Sequence, residues 1–193
     1  SDFITDLTRF ANKKIVLMPA DIGNRLFDAY RKEFPDRFYN CGVAEANTIG
    51  MAAGMAFCGL RPVAYTITPF ITTRCFEQIR VDVCYNNLPV VIVGVGGGLC
   101  YAPLGATHHS LEDIAIMRAL PNMVVLSPAD PIEIVASVKA MINYSGPVYL
   151  RLGKSGEKII HKNKINFEIG KGLTIVEGRD GYILTCGAIA NTV

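Results

Sequence analysis

Glu45 is the only charged side chain between Arg37 and Arg61. The run from Phe38 to Leu60 is otherwise mostly Gly, Ala, Met, Ile and Val, with Asn47 and Thr48 as the main polar interruptions. At helical length this composition predicts a helix that is apolar on nearly every face. A carboxylate opening such a helix is costly unless something pairs with it or it holds a proton. Two readings stay open. Glu45 is either a functional acid awaiting a partner, or a helix-start residue satisfied by backbone amides and the helix dipole.

The second concentration of chemistry lies in GVGGG (94–98) and GATHHS (105–110). The glycines do not make a dinucleotide fingerprint, because Leu99 stands where its last glycine belongs and the next helix begins only near Leu111. His108 and His109 are adjacent, so they cannot easily face one metal, and no thiol or acid stands at zinc-like spacing. Metal ligands are therefore expected nowhere in this chain. Ser110 followed by Asp113 predicts a capped helix start, with the imidazoles left at the loop edge.

Elements that could hold these residues alternate regularly. Apolar runs at 14–20, 61–67, 88–96, 122–127 and 146–152 read as strands, and Arg37–Cys41 as a further short one. Helical patterns occupy 2–12, 25–34, the Glu45 run, 71–86, 111–120 and 130–143, and Asp21, Gly23 and Asn24 form a turn. Strand–helix alternation predicts an α/β fold, a mostly parallel sheet with helices on both faces. Ligands then sit at the carboxyl ends of the strands, where the loops 20–24, 40–45, 67–73 and 95–109 fall. After Arg151 the chain turns polar and lysine-rich, which reads as a linker at 155–164. Residues 165–193 then look like two or three strands beginning a second α/β domain that stops short.

The chain has 193 residues, half of them hydrophobic, and a net charge of +2. That is enough for one domain and part of another. With no basic block, nucleic-acid binding has no support. Gly50 and Gly54 form a GxxxG, but Glu45, Asn47 and Thr48 break the run, so no membrane span is expected. The six cysteines form no CxxC pair and read as buried free thiols in a reducing, cytoplasmic setting. No basic stretch precedes an apolar one near the start, so no signal peptide is expected. The apolar surplus is expected to end in a subunit interface.

RFYNCGVAEANTIGMAAGMAFCGLRPVAYTITPFITTRCFEQIR, then GATHHSLEDIAIMRALPNMVVLSPAD, then GPVYLRLGKS, resemble in order the pyrimidine-binding domain of the transketolase superfamily of thiamine diphosphate enzymes. The resemblance covers about residues 14 to 154. It implies a pyrimidine-binding domain over 1–154, a linker at 155–164, and the opening of the family's carboxyl-terminal domain at 165–193. By resemblance, Glu45 is the catalytic acid that hydrogen-bonds the aminopyrimidine. Phe70 lies against the pyrimidine face, and Ile67 and Thr73 occupy pocket positions that are often aromatic. Asp21 is similar to the family aspartate near the cofactor and dimer seam. His108 matches the family histidine that contacts donor hydroxyls and the reacting oxygen. Arg151 and Lys154 lie where basic residues bind substrate phosphate.

Two departures qualify this picture. Leu104 replaces the sugar-reading acid before the Thr-His pair, which weakens the link to ordinary pentose phosphates. The sequence also lacks a GDG followed by a distant NN, the motif that binds Mg2+ and diphosphate in the family. The resemblance thus implies half an active site. The chain would be the carboxyl-side subunit of a split transketolase, dimerising with itself and with a diphosphate-binding subunit into a heterotetramer. It would transfer a two-carbon ketol unit between sugars or sugar phosphates. Alternatives from the same resemblance are a deoxyxylulose-phosphate-synthase-like enzyme, or the β-subunit of a 2-oxo-acid dehydrogenase. A non-catalytic dimerising subunit is the third.

Overall fold

Short apolar runs fold into one parallel sheet. A computed structural model describes residues 3–23, 25–154 and 156–193. Asn24 of the expected turn and Ser155 of the expected linker lie outside the described residues. Among the described residues the strands are β1 (Ile15–Pro19), β2 (Arg61–Ile67), β3 (Val91–Val95), β4 (Val124–Leu126) and β5 (Val148–Leu152). All pair in parallel, in the order β1-β2-β3-β5-β4. β3 lies in the middle and is buried along its whole length, as its uninterrupted apolar sequence requires.

Alternation along each strand feeds two cores. Val91, Val93 and Val95 join one core with Leu7 of α1 (Phe3–Phe10), Tyr30 of α2 (Asp28–Glu33) and Val138 of α7 (Pro131–Met141). Ile92 faces the other side. There it meets Ile49 of α3 (Glu45–Phe57), Ile71 of α4 (Thr68–Ile71) and Met117 of α6 (Asp113–Arg118). That second core also takes Ile79 from a π-helical segment, Ile79–Tyr85, which continues α5 (Phe76–Gln78). Burying each such Leu, Ile or Val contributes roughly 1.5–3 kcal/mol. Helices thus cover both faces, as the alternation predicts.

Several expectations need correction. α3 is not apolar-buried all round: Met51 is 38% and Phe57 65% exposed, while Ile49, Ala52, Ala53 and Ala56 make its packed stripe. Arg37–Cys41 is no full strand. Tyr39 N–H and Cys41 N–H donate to β1 carbonyls, yet only Leu17 and Phe38 form a bridge. The expected helix at 71–86 is broken near its start. There the hydroxyls of Thr72 and Thr73 donate to the carbonyls of Thr68 and Pro69, at 2.8 and 2.6 Å. Such back-bonding competes with regular helix.

Ser110 does not cap α6. It is buried and pairs its backbone with Gly98, and the residue before α6 is Glu112, which makes no side-chain cap. The cysteines are free, but Cys58, Cys100 and Cys186 are exposed. Residues 165–193 carry no strand, only a 3-10 turn at Gly187–Asn191. Tyr182 and Leu184 are 98% and 95% exposed there. A strand needs a neighbour to pair its backbone, and this segment meets none in the sheet. No helix among the described residues is long and apolar enough to cross a membrane.

Candidate functional site

The loops at the carboxyl ends of β1, β2, β3 and β5 supply the expected residues. Asp21 follows β1 with a left-handed φ of 46°. Its carboxylate accepts from Asn40 Nδ2 at 2.9 Å, and its N–H donates to Asn40 Oδ1 at 3.2 Å. The same Oδ1 accepts from Gly42 N–H at 3.0 Å, and Gly42 itself has a φ of +69°. Glycine is the residue that enters that region without strain. Asp21 and Asn40 therefore set the turn that delivers Glu45 to the start of α3.

Glu45 is 7% exposed. Ala44 before it offers no side-chain cap. Among the described residues its carboxylate meets the cation of Arg74, Nη1 to Oε1 at 3.5 Å, and that side chain is 48% exposed. The contact is at the long limit of a hydrogen bond. Burial first, and the Glu45 charge second, push the neighbouring Cys75 thiol up to about 12. The Glu45 oxygens thus meet little competition from donors among the described residues.

From Glu45 a continuous row of side chains runs along the edge. Arg74 stands over the Phe70 ring, 3.8 Å from its centroid. Phe70 meets the His108 imidazole edge to face at 5.0 Å. His108 meets Tyr101 at 6.2 Å, and Lys154 Nζ lies 5.1 Å from the Tyr101 centroid. Thr107 Oγ1 is 2.9 Å from His108 Nδ1. The structure brings together Glu45, Phe70, His108 and Lys154, which stand far apart in the sequence.

The remaining predicted residues are placed otherwise. Asp21 acts through the turn already described. Ile67 ends β2 and packs against the first core. Thr73 is exposed and its hydroxyl is spent on Pro69 O. Arg151 Nε donates to Asp113 Oδ2 at 2.7 Å, so much of its charge is met inside the chain. Sequence reasoning missed Arg74, Tyr101, Asp113 and Tyr149. The four-residue step from Phe70 to Arg74 was a usable signal, since such pairs meet on a helical turn.

The donor set fits an aminopyrimidine: a buried carboxyl with free acceptor capacity beside an aromatic ring. For a divalent cation the fit is poor. Asp130, Glu133 and His161 form the cluster with metal-ligand atoms among the described residues. The N–H groups of Glu133, Ile160 and His161 already donate to Asp130, and Glu133 accepts from Ala129 N–H and meets His161 at 2.7 Å. That is a helix cap at the positive end of α7. The two described concavities lie away from the row. One is lined by Ile114, Met123 and Cys186, the other by Val81, Tyr85 and Pro121.

Residues 9–156 match the family profile described as "Transketolase, pyrimidine binding domain". A Methanocaldococcus jannaschii protein, provisionally named a transketolase C-terminal section, is 42% identical over 91% of this chain and 56% of its own length. One of the subunits of the apulose-4-phosphate transketolase of Phocaeicola vulgatus is 36% identical over 97% of this chain and 60% of its own length. A solved structure described as "Split gene transketolase, inactive beta4 tetramer" superposes with a TM-score of 0.88 at 38% identity. That match covers 98% of this chain and 62% of the neighbour. The chain spans less than two thirds of the length of these relatives.

Proposed function

The chain belongs to the transketolase pyrimidine-binding domain family, and from that premise we propose that it is part of one subunit of a split, thiamine diphosphate-dependent transketolase. The reading is a two-carbon ketol transfer between sugars or sugar phosphates, in the carbohydrate metabolism of the cytoplasm. Free thiols at all six cysteines agree with a reducing compartment. The partner chain would carry the diphosphate-binding domain and the Mg2+ ligands, and the two chains would assemble as a heterotetramer around a dimer of this one. Support for a needed partner comes from the relative described as an inactive β4 tetramer. The domain division keeps 1–154 as the pyrimidine-binding unit, 155–164 as linker and 165–193 as the start of a third domain.

One observation carries the proposal: a carboxyl buried at the strand ends, met among the described residues by a long contact to a half-exposed arginine, which stands over a ring that in turn meets an imidazole. Thiamine diphosphate, when bound, supplies the carbon nucleophile. Glu45 would share a proton with the pyrimidine nitrogen, and Phe70 would cover the ring face, with Ile67 and Thr73 beside it and Asp21 holding the turn. His108 hydrogen-bonds the donor's hydroxyl and carbonyl oxygens and moves a proton there. Lys154, resting on Tyr101, meets an anionic group on the substrate; Arg151, which the resemblance pairs with it, has its Nε committed to Asp113.

The test mixes the full chain with its partner, Mg2+ and thiamine diphosphate. Cofactor binding and transfer from a ketose to an aldose are expected. Carbon dioxide release from a 2-oxo acid, without ketol transfer, would move the enzyme to the decarboxylating branch. Absence of cofactor binding would leave only a dimerising subunit.

A further inference from the structure

The segment from Gly96 to Glu112 holds two rings of the candidate site, Tyr101 and His108, on a chain rich in glycine. Both of its ends close on one group of three side chains. At the exit, Asp113 is 1% exposed, and its Oδ2 accepts from the Tyr149 hydroxyl and from Arg151 Nε, each at 2.7 Å. At the entrance, the same guanidinium fills the space beside Gly97. A methyl group added there would stand 2.5 Å from both Arg151 Cζ and Nε. The N–H groups of Gly96 and Gly97 donate to Leu152 O at 2.9 and 3.2 Å, next to Arg151 on β5.

Between these ends, Gly98 and Ser110 exchange both backbone hydrogen bonds, at 2.8 and 2.9 Å. That bridge ties the two flanks, and the tip beyond it carries Tyr101 and His108. Tyr101 in turn packs against Gly96, where no side chain would fit. The loop has little apolar weight of its own to fix its course, and Leu99 and Leu104 are each 55% exposed. Whatever fixes its course therefore has to come from its anchors.

We propose that Asp113, Tyr149 and Arg151 form a positioning knot that sets the His108 imidazole against Phe70, and that Arg151 acts through this loop rather than by gripping the substrate. The Arg151 side chain is 19% exposed, its Nε is committed to Asp113, and Gly97 lies against its head. A group so held makes a firm anchor and a poor ligand for an incoming anion. Lys154, exposed and resting on Tyr101, remains free to follow one. The part of this inference that concerns catalysis rests on the ketol-transfer reading. The part that concerns the loop does not.

The test uses the full chain and the enzyme assembled with its partner, thiamine diphosphate and Mg2+. The variants are Arg151→Lys, Asp113→Asn and Tyr149→Phe. Amide hydrogen exchange at Gly98, His108 and Ser110 is expected to quicken by about tenfold or more in the first two, and less in Tyr149→Phe. Ile92 in the central strand should be unchanged. Turnover is then compared with D-fructose 6-phosphate and D-fructose as donors. The kcat is expected to fall by about tenfold to a hundredfold, by the same factor on both sugars, with little change in the KM for the phosphorylated one.

A loss confined to D-fructose 6-phosphate, with a raised KM, would mean that Arg151 reads the phosphate, and the knot would be refuted. Unchanged exchange in all three variants would refute it as well. If Asp113→Asn does not fold, Tyr149→Phe and Arg151→Lys still decide. If the unaltered enzyme turns over neither sugar, the ketol-transfer reading fails, and the exchange measurement alone judges the knot.

Discussion

Glu45 and Asp113 invite comparison because they occupy equivalent places. Each is the first residue of a helix on the same face of the sheet, and neither Ala44 nor Glu112 before them makes a side-chain cap. Both are taken out of water, at 7% and 1% exposure. Asp113 is answered by two 2.7 Å hydrogen bonds from Tyr149 and Arg151. Glu45 has a 3.5 Å contact from an arginine half in solvent. Both Asp113 bonds fall on Oδ2, and Oδ1 is buried without a partner among the described residues; an acid so held by short bonds from its own chain belongs to the architecture. One that is scarcely answered has oxygens left for a ligand.

The largest effect that would sharpen this contrast is on stability. Asp113→Ala leaves Arg151 without its counter-ion and should lower the unfolding free energy by about 3 kcal/mol, read from urea denaturation. A loss below about 1 kcal/mol would erase the distinction. Glu45→Ala should do the reverse. Activity of the assembled enzyme should drop at least about a hundredfold, a barrier increase of about 2.7 kcal/mol. Its unfolding midpoint should hardly move, because a long contact to an arginine half in solvent contributes under about 1 kcal/mol. Retained turnover would make Glu45 a structural acid like Asp113.

A third buried acid extends the comparison at smaller scale. Burial pushes the Asp130 carboxyl up. The N–H donors of Glu133, His161 and Ile160, with the charge of His161, outweigh that and hold it below its ordinary value. A depressed folded value means that the stabilisation is complete above the unfolded pKa, about 3.9, and is lost as pH falls through the folded one. Asp130→Ala should therefore cost about 1 kcal/mol at neutral pH and progressively less below about pH 4. An equal cost across that range would remove the carboxylate from the account.

The smallest effect concerns thiols. Burial raises Cys84 to about 12, and burial with the Glu45 charge raises Cys75 to about 12, whereas Cys58, Cys100 and Cys186 are exposed. A thiol reagent at neutral pH should label the exposed three first. Glu45→Gln should speed the slow labelling of Cys75, since one of the two influences raising it is gone. No change in that rate would mean that Glu45 carries no charge felt there.

Much of the scaffold was legible because its signals are local. RPVAYTI matches β2 residue for residue, and Pro69 enters α4 as a helix-starting proline should. The lone acid in an apolar run pointed to Glu45 with no structure needed. Arg74 was not legible as a site residue, because its meeting with Glu45 depends on how α3 and the α4–α5 turn pack. The ion pair of Arg151 was not legible either, because nothing near it in the chain announces Asp113. The tail misled for the opposite reason: its apolar texture suits strands, but texture supplies no pairing partner.

Sequence alone settled where the chain alternates between strand and helix, and which acid stands without neighbours of opposite charge, since burial preference and period are properties of adjacent residues. Only the folded sheet decided which buried acid is gripped by short bonds from its own chain and which meets a single long contact. Arg151 meets Asp113 across 38 positions, and Arg74 reaches Glu45 across 29. Such partners are chosen by strand order and helix packing, because a side chain a few ångströms long can answer only what the fold sets beside it.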